Sequence, residues 1–161
     1  MRGERFERLY EDHAQPLLAF LVYRTGDRPL AEDLLAETFE RVLRARRPFD
    51  PRRASEKTWL YSIALNLLRD HVRRKEAEAR AVERVVTVPP DDERADFDLV
   101  EERDSLTRAL ATLSDEEREA VALRYGADLT VPEIAKLMRE KLTTVEGRVY
   151  RALRKLRDEL D

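Results

Sequence analysis

The stretch WLYSIALNLLRDHVRRK at residues 59–75 contains the clearest structural signal in this chain, because it divides into two helical faces. At about 100° per residue, one face is an apolar stripe of Leu60, Ile63, Ala64, Leu67 and Leu68. A neighbouring face carries Trp59, Ser62, Asn66, Asp70 and Arg73, and the run ends in Arg73, Arg74 and Lys75. A ring for stacking, an amide for base edges and cations for phosphates suit unstacked nucleic acid. The same pattern is also typical of a core-packed tryptophan on an ordinary basic helix.

Length and composition favour an all-α protein of one or two small domains. The chain has 161 residues, of which 40% are charged and only 4 are glycine, so little turn material is left for a sheet. It contains no cysteine, which excludes disulfides and thiolate metal sites. The N-terminal sequence has no apolar signal core, and no apolar run approaches the ~18 residues of a membrane span. We therefore expect a cytoplasmic protein without metals or cofactors.

The net charge of −3 conceals two basic segments separated by an acidic one. Residues 44–75 carry ten Lys or Arg against three Asp or Glu, and residues 139–157 carry seven against two. Between them, residues 79–104 carry four against nine. This arrangement suits a protein that touches a polyanion at two places. Charge runs are also common on solvated helix faces, so the pattern supports nucleic-acid binding without establishing it.

Helical periodicity predicts three helices in the first half of the chain. The apolar residues within 6–21 and 29–44 recur at helical spacing, and Gly26-Asp27 breaks the two runs. Residues 46–51 are expected to form a loop, since proline disfavours helix on its N-terminal side. Ser55 is a candidate N-cap for the third helix, which contains the stretch quoted above. Three such helices are enough for a small bundle.

The second half is predicted to be a separate helical domain. Residues 79–104 combine a short β-branched run, Pro89-Pro90 and many acids, and we interpret them as a flexible acidic linker between domains at 1–78 and 105–161. Ser114 followed by three acids is a strong helix start, and Thr130 can cap a short helix. Thr143 or Thr144 is then expected to open a final helix.

The final helix is predicted to be amphipathic and to complete a helix-turn-helix. Its inward side is expected to hold Val145, Val149, Ala152, Leu153, Leu156 and Leu160. Its opposite side holds Thr143, Gly147, Tyr150, Arg151 and Arg154, as a helix in the major groove requires. A solvated face on a plain two-helix hairpin fits the same pattern. No phosphate-cradling glycine loop is present and the two histidines, His13 and His71, are isolated, so we expect no enzymatic activity.

The order of these segments resembles that of bacterial sigma factors of the extracytoplasmic-function (ECF) group, over nearly the whole chain. AEDLLAETFERVL at residues 31–43 resembles the segment that docks on the coiled coil of the polymerase clamp. Residues 59–75 resemble the helix that opens and reads the −10 promoter element. LATLSDEEREAVALRYGADLTVPEIAKLM at 110–138, followed by TTVEGRVYRALRKLR at 143–157, resembles the helix-turn-helix that binds the −35 element.

The resemblance implies a promoter-specificity subunit whose partners are core RNA polymerase and promoter DNA, both double-stranded and as the melted non-template strand. For polymerase, the implied contacts are Asp33, Leu34, Glu37 and Phe39. For the −10 DNA, they are Trp59, Ser62, Asn66, Arg69, Asp70, Arg73 and Arg74. For the −35 duplex, they are Thr143, Thr144, Gly147, Arg148, Tyr150, Arg151 and Arg154. An anti-sigma factor is a common further partner in this family.

The sequence departs from the family pattern within the helix-turn-helix. The family usually has a small residue at the turn and a hydrophobic one after it, where this chain has Arg139 and Glu140. A left-handed turn at Arg139 would be strained relative to glycine. Glu146 and Gly147 replace a basic and a small hydroxyl residue, and Glu146 would repel phosphate, although glutamate can accept from cytosine N4. These departures bear on the affinity and the sequence preference of the second domain.

Two other functions remain open from the residues alone. A transcription regulator would bind duplex DNA through the second domain and dimerise through the first, and it would favour paired half-sites. A helical interaction protein would sequester a partner and contact no DNA, which the acidic pI and Glu146 permit. Neither function needs the polar face of residues 59–75.

Overall fold

The structure, a computed structural model, describes residues 3–45, 50, 52, 55–81 and 101–161, with the side chains of the last segment from residue 105. The described residues form helices and no strand, in two compact units, Met1–Pro90 and Asp91–Asp161. The predicted all-α fold with two helical domains is confirmed. Most of the predicted loop at 46–51, and residues 82–100 of the predicted linker, lie outside the described residues.

The first unit contains three helices: α1 (Gly3–Thr25), α2 (Arg28–Arg44) and α3 (Glu56–Ala81). Gly26 has φ 66°, which explains the break between α1 and α2, and the side chain of Asp27 accepts from the N–H of Leu30 as the N-cap of α2. Ser55 caps α3 as predicted, because its hydroxyl oxygen accepts from the N–H of Thr58 at 3.1 Å. The third helix continues to Ala81, three residues beyond the predicted end of the domain.

The core of the first unit lies where α1 and α2 pack against the first half of α3. Its large buried side chains are Leu9, Leu17, Phe20, Leu21, Leu34, Phe39, Val42, Leu60, Tyr61, Leu65, Leu67 and Leu68. The buried face of α3 is wider than the predicted stripe, since Tyr61 and Leu65 are fully buried whereas Ile63 is only half-buried. The ring of Tyr61 meets that of Phe20 edge-on, with centroids 5.6 Å apart. Each such large side chain contributes about 1.5–3 kcal/mol on burial.

The second unit consists of α4 (Glu101–Ala111), α5 (Asp115–Val121), a π-helical turn (Ala122–Gly126), α6 (Val131–Met138) and α7 (Leu142–Leu160). Both predicted helix starts are confirmed. Ser114 and Thr130 each form a capping box with a glutamate three residues on, Glu117 and Glu133.

Two predictions for α7 are wrong. The helix begins at Leu142 rather than at a threonine, because the carbonyl of Lys141 already accepts from the N–H of Val145, and Lys141 provides no side-chain cap. Leu153 and Leu160 remain 37% and 49% exposed, so they are not core residues. The buried side of α7 is narrower, consisting of Val145, Val149 and Ala152. These pack with Leu113, Ala120, Leu123, Leu129, Ile134 and Leu137 to form the core.

Candidate nucleic-acid interfaces

The predicted −10 residues lie along the polar side of α3, opposite its buried face. Asn66 is exposed, whereas Trp59 and Ser62 are half-buried. The hydroxyl of Ser62 donates to the carbonyl of Trp59 at 2.6 Å, so its oxygen is left to act as an acceptor. Trp59 therefore shows part of its surface to solvent while packing against the unit, a position compatible with both interpretations of this residue.

The cationic end of α3 extends beyond the core. Every residue from 72 to 81 is exposed, including Arg73, Arg74 and Lys75. Arg73 lies 3.8 Å from Asp70, and the Nε of Arg74 donates to the carbonyl of Asp70 at 3.4 Å. Both contacts are solvent-exposed and therefore weak, so these guanidinium groups can exchange them for phosphate at little cost.

The predicted polymerase-binding residues on α2 divide into two groups. Asp33 and Glu37 are exposed, and Glu37 lies 3.7 Å from Arg41. Leu34 and Phe39, in contrast, are each only 4% exposed, so the prediction that they are available to a partner is wrong. The ring of Phe39 is enclosed by those of Tyr10 and Phe6, at centroid distances of 4.9 and 5.9 Å. These two residues hold α2 in the bundle and leave the carboxylates on its outer side.

The turn between α6 and α7 adopts the strained geometry predicted at Arg139. This residue has φ 55° and ψ 43°, in the left-handed region, at a cost of about 1–2 kcal/mol. The N–H of Glu140 donates to the carbonyl of Ala135 at 2.9 Å, and that of Arg139 to the carbonyl of Lys136 at 3.3 Å. These two bonds form a Schellman motif, which ends α6 without the usual glycine.

Arg148, for which a DNA contact is predicted, is largely buried within the second unit. Its side chain is 15% exposed, and its two terminal nitrogens donate to the two carboxylate oxygens of Glu140. The hydrogen bonds to Glu140, opposed by desolvation and reinforced by the charges of Glu140 and Glu116, raise the pKa of Arg148. The unusual glutamate after the turn thus fixes α7 to the end of α6. In this structure Arg148 serves the packing of the helix-turn-helix, and its contact with phosphate stays a prediction.

The remaining predicted −35 residues lie on the outer side of α7. The exposed members are Thr143, Thr144, Tyr150, Arg151 and Arg154, with Tyr150 as much as 66% exposed. Gly147 has no side chain with which to contact DNA, but a Cβ there would lie 3.1 Å from the guanidinium of Arg151. Its absence leaves room for Arg151 to lie across the helix surface.

One ion pair that sequence reasoning missed connects α5 to α7. Lys155 lies 2.7 Å from Glu117, whose side chain is almost fully buried. Burial by itself would raise the pKa of Glu117, but hydrogen bonds from Lys155 and Ser114 outweigh it, and the pKa is lowered. The capping box predicts a role for Glu117, whereas no local pattern connects it to a residue 38 positions later.

Residues 3–45, 55–81 and 101–161 include no group of three His, Asp or Glu side chains that could hold a metal ion. In the same ranges, every helix is too short or too polar to traverse a bilayer.

Known families and proteins match this chain over most of its length. Residues 9–78 match Sigma-70 region 2, and residues 103–156 match Sigma-70, region 4. The chain is 32% identical to the ECF RNA polymerase sigma factor SigX of Bacillus subtilis, covering 98% of this chain and 88% of SigX. It is 31% identical to the ECF RNA polymerase sigma factor BldN of Streptomyces coelicolor, covering 96% of this chain but only 60% of BldN.

Solved structures share the fold at lower sequence identity. The sigma factor RpoE of Bartonella quintana, solved in complex with the anti-sigma factor NepR, matches with a TM-score of 0.77 and 23% identity, covering 98% of this chain and 97% of that one. CnrH, solved in complex with the cytosolic domain of CnrY, matches with a TM-score of 0.68 and 23% identity over 99% of this chain and 90% of that one. At this identity the likeness establishes the fold alone.

Proposed function

This chain belongs to the ECF family of RNA polymerase sigma factors, and on that premise we propose that it directs core RNA polymerase to promoters. It binds the core enzyme in the cytoplasm, recognises the −10 and −35 elements and promotes DNA opening, with no catalysis of its own. The observation that carries this proposal is the outer face of α3, where Asn66 and a row of cations are exposed on a helix whose other side is buried.

The −10 role follows from what the face of α3 offers to an opened strand. Unstacking costs a few kcal/mol per base step, so a protein that opens DNA must favour the single-stranded state. Asn66 is placed to hydrogen-bond a base edge, and the partly exposed ring of Trp59 offers a stacking surface. Arg69, Arg73 and Arg74 then hold backbone phosphates, whose neutralisation is independent of sequence.

The −35 role belongs to the outer side of α7. Thr143 and Thr144 in its first turn can hydrogen-bond base edges or phosphates, and Tyr150, Arg151 and Arg154 continue along the exposed side. We assign the unit that contains α1 to α3 to polymerase and −10 binding, and the unit that contains α4 to α7 to −35 binding.

The exposed carboxylates of α2 provide the polymerase contact. Asp33 and Glu37 lie one turn apart on the outer side of a helix that Leu34 and Phe39 anchor to the core. Such a pair is complementary to a basic surface on the clamp. We further propose that an anti-sigma factor controls this chain, by analogy with the RpoE–NepR complex.

Binding to polymerase and to pre-melted DNA tests the proposal. Core polymerase, a randomised library of partly melted duplexes and this chain are combined, and retained DNA is sequenced. We expect the chain to co-elute with polymerase and the retained bubbles to share a motif on the non-template strand. Retention by the chain alone of fully paired DNA that shares paired half-sites would instead support a stand-alone regulator. No association with polymerase or with DNA would support a sequestering protein.

A further inference from the structure

The turn of the helix-turn-helix contains a charged contact whose carboxylate is anchored through a backbone hydrogen bond. Glu140 follows the left-handed Arg139, and its N–H is bonded to the carbonyl of Ala135 at 2.9 Å, so its backbone is fixed at the end of α6. From there its two carboxylate oxygens each accept from a different terminal nitrogen of Arg148, at 2.5 Å. A two-point contact of this kind fixes the plane of the guanidinium as well as its position.

Both side chains of the Glu140–Arg148 pair are largely shielded from water. The side chains of Arg148 and Glu140 are 15% and 26% exposed, whereas those of Arg118 and Asp115, a surface pair in the same unit, are 38% and 82% exposed. A shielded pair competes better against outside anions, because solvent screens less of its attraction. Glu116 adds a second, more exposed carboxylate 3.9 Å from the Nε of Arg148.

Arg148 lies at the border of the surface assigned to duplex DNA. It follows Gly147 directly and comes one helical turn after Thr144, both in the proposed −35 interface. Arg151 and Arg154, further along the helix, are exposed. Arg148, at the edge of the DNA-facing side, is therefore paired with Glu140, while Arg151 and Arg154 face solvent.

We propose that Glu140 sets the affinity of α7 for duplex DNA by holding Arg148 away from the phosphates. The proposal rests on the function proposed above for α7, and Glu140 acts in it as a positioning residue. With the pair intact, duplex binding uses the exposed cations alone. When Glu140 loses its charge, Arg148 swings out to a phosphate and displaces a condensed counterion. One added phosphate contact steepens the slope of log K against log salt by ~0.9. Between about 1 M and 0.1 M salt, the affinity then rises about eightfold more than it does with the pair intact.

The test measures binding of the full chain to a labelled mixed-sequence duplex of about 25 bp by fluorescence anisotropy across a salt series. Phosphate contacts are independent of sequence, so the cognate promoter is not required. Relative to the original chain, we expect Glu140→Gln to gain about eightfold in affinity between about 1 M and 0.1 M salt, with a slope steeper by ~0.9. Glu159→Gln, the same charge change in the exposed last turn of α7, serves as the matched control and should alter the slope little.

The double variant Glu140→Gln/Arg148→Gln decides whether the effect passes through Arg148. It removes both charges together, so no buried ion is left unpaired and folding is preserved even where a single variant fails. We expect it to bind duplex DNA with the affinity and slope of the original chain. A loss of about tenfold in the double variant would show that Arg148 already contacts phosphate and would overturn the proposal.

The single variant supplies a second way to overturn the proposal. Unchanged affinity and slope in folded Glu140→Gln, or no duplex binding by any of these proteins, contradicts it. Failure of the proposed promoter function would look different from failure of this proposal. In that case the chain would still bind duplex DNA with the predicted salt dependence and variant effects, but it would not support transcription by the polymerase.

Discussion

Asn66 is exposed on α3 between two buried leucines, Leu65 and Leu67, so its side chain is available without any rearrangement of the core. Replacing it by alanine removes the amide and slightly favours the helix. We expect Asn66→Ala to reduce initiation from cognate promoters about tenfold or more, since a good amide–base contact contributes about 1–3 kcal/mol of discrimination. Polymerase binding should not change.

Single-round transcription and a polymerase-binding assay on the same preparations check this expectation. Glu78→Ala, a change at an exposed position further along α3, is the matched control. Equal activity of Asn66→Ala and the original chain on cognate promoters would remove the base-reading role from this residue.

Tyr61 places a polar hydroxyl group in the core of the first unit. Its side chain is 1% exposed, and its hydroxyl has no hydrogen-bond partner among the described residues. Burial raises the pKa of this phenol to about 12. Because an unsatisfied buried hydroxyl costs free energy, we expect Tyr61→Phe to leave the free energy of unfolding unchanged or to raise it by about 1 kcal/mol.

Denaturant unfolding followed by the fluorescence of Trp59, the only tryptophan, reports on the unit that contains Tyr61. Tyr10→Phe, at an exposed tyrosine of α1, provides the comparison. A destabilisation of more than about 1 kcal/mol by Tyr61→Phe would mean that the hydroxyl has a stabilising partner.

Among the helices, α2 presents charge on one side and anchors itself with the other. Asp33 is exposed, while Ala31, Leu34 and Val42 are buried at helical spacing. Reversing the charge at Asp33 should therefore spare the fold and oppose a basic partner. We expect Asp33→Arg to weaken the binding of core polymerase about tenfold, equivalent to ~1.4 kcal/mol.

Titration of labelled chain with core polymerase measures this effect. Glu11→Arg, the same reversal at an exposed position of α1, separates a local contact from a general change in charge. Dissociation constants that agree for Asp33→Arg and the original chain would exclude Asp33 from the interface.

The contact between α5 and α7 makes the stability of the second unit depend on pH. The pKa of Glu117 is lowered in the folded state from its ordinary 4.5, so folding favours the ionised carboxylate. This contribution is fully present above about pH 4.5 and is lost as pH falls through the folded pKa. We expect the unfolding midpoint to fall as pH decreases below 4.5.

Lys155→Met should lose about 1 kcal/mol near neutral pH, because Lys155 is half exposed and its attraction is partly screened. Its stability should also vary less with pH than that of Arg154→Gln, a change at the neighbouring exposed cation. Helix content followed during denaturation at several pH values gives both quantities. An identical pH dependence in the two variants would assign the lowered pKa to Ser114 alone.

Local sequence signals predicted the helix starts better than the side-chain partners. The capping boxes at Ser114 and Thr130 were predictable because both partners lie within four residues. The Glu140–Arg148 contact was not, since helical periodicity assigns a side to Arg148 but does not say which neighbour it meets. The prediction that Phe39 is available to a partner was wrong, because this residue belongs to the buried side of α2.

At the scale of the whole molecule, the two basic segments of the sequence lie in different units, one in each. Each basic segment overlaps one long helix with an exposed polar side, α3 in the first unit and α7 in the second, despite the overall charge of −3. The family match explains why a chain of acidic balance carries two such surfaces. The two-domain, all-α organisation was predictable from composition and periodicity, since both report on backbone preference rather than on particular contacts.

Run-off transcription by core polymerase with this chain, on a library of randomised promoters, tests most directly whether the chain confers promoter specificity. We expect discrete transcripts only when the chain is present, from templates that share two elements at fixed spacing upstream of the start. Transcription that is the same with and without the chain, while the chain still binds polymerase, would contradict its role as a promoter-specificity subunit.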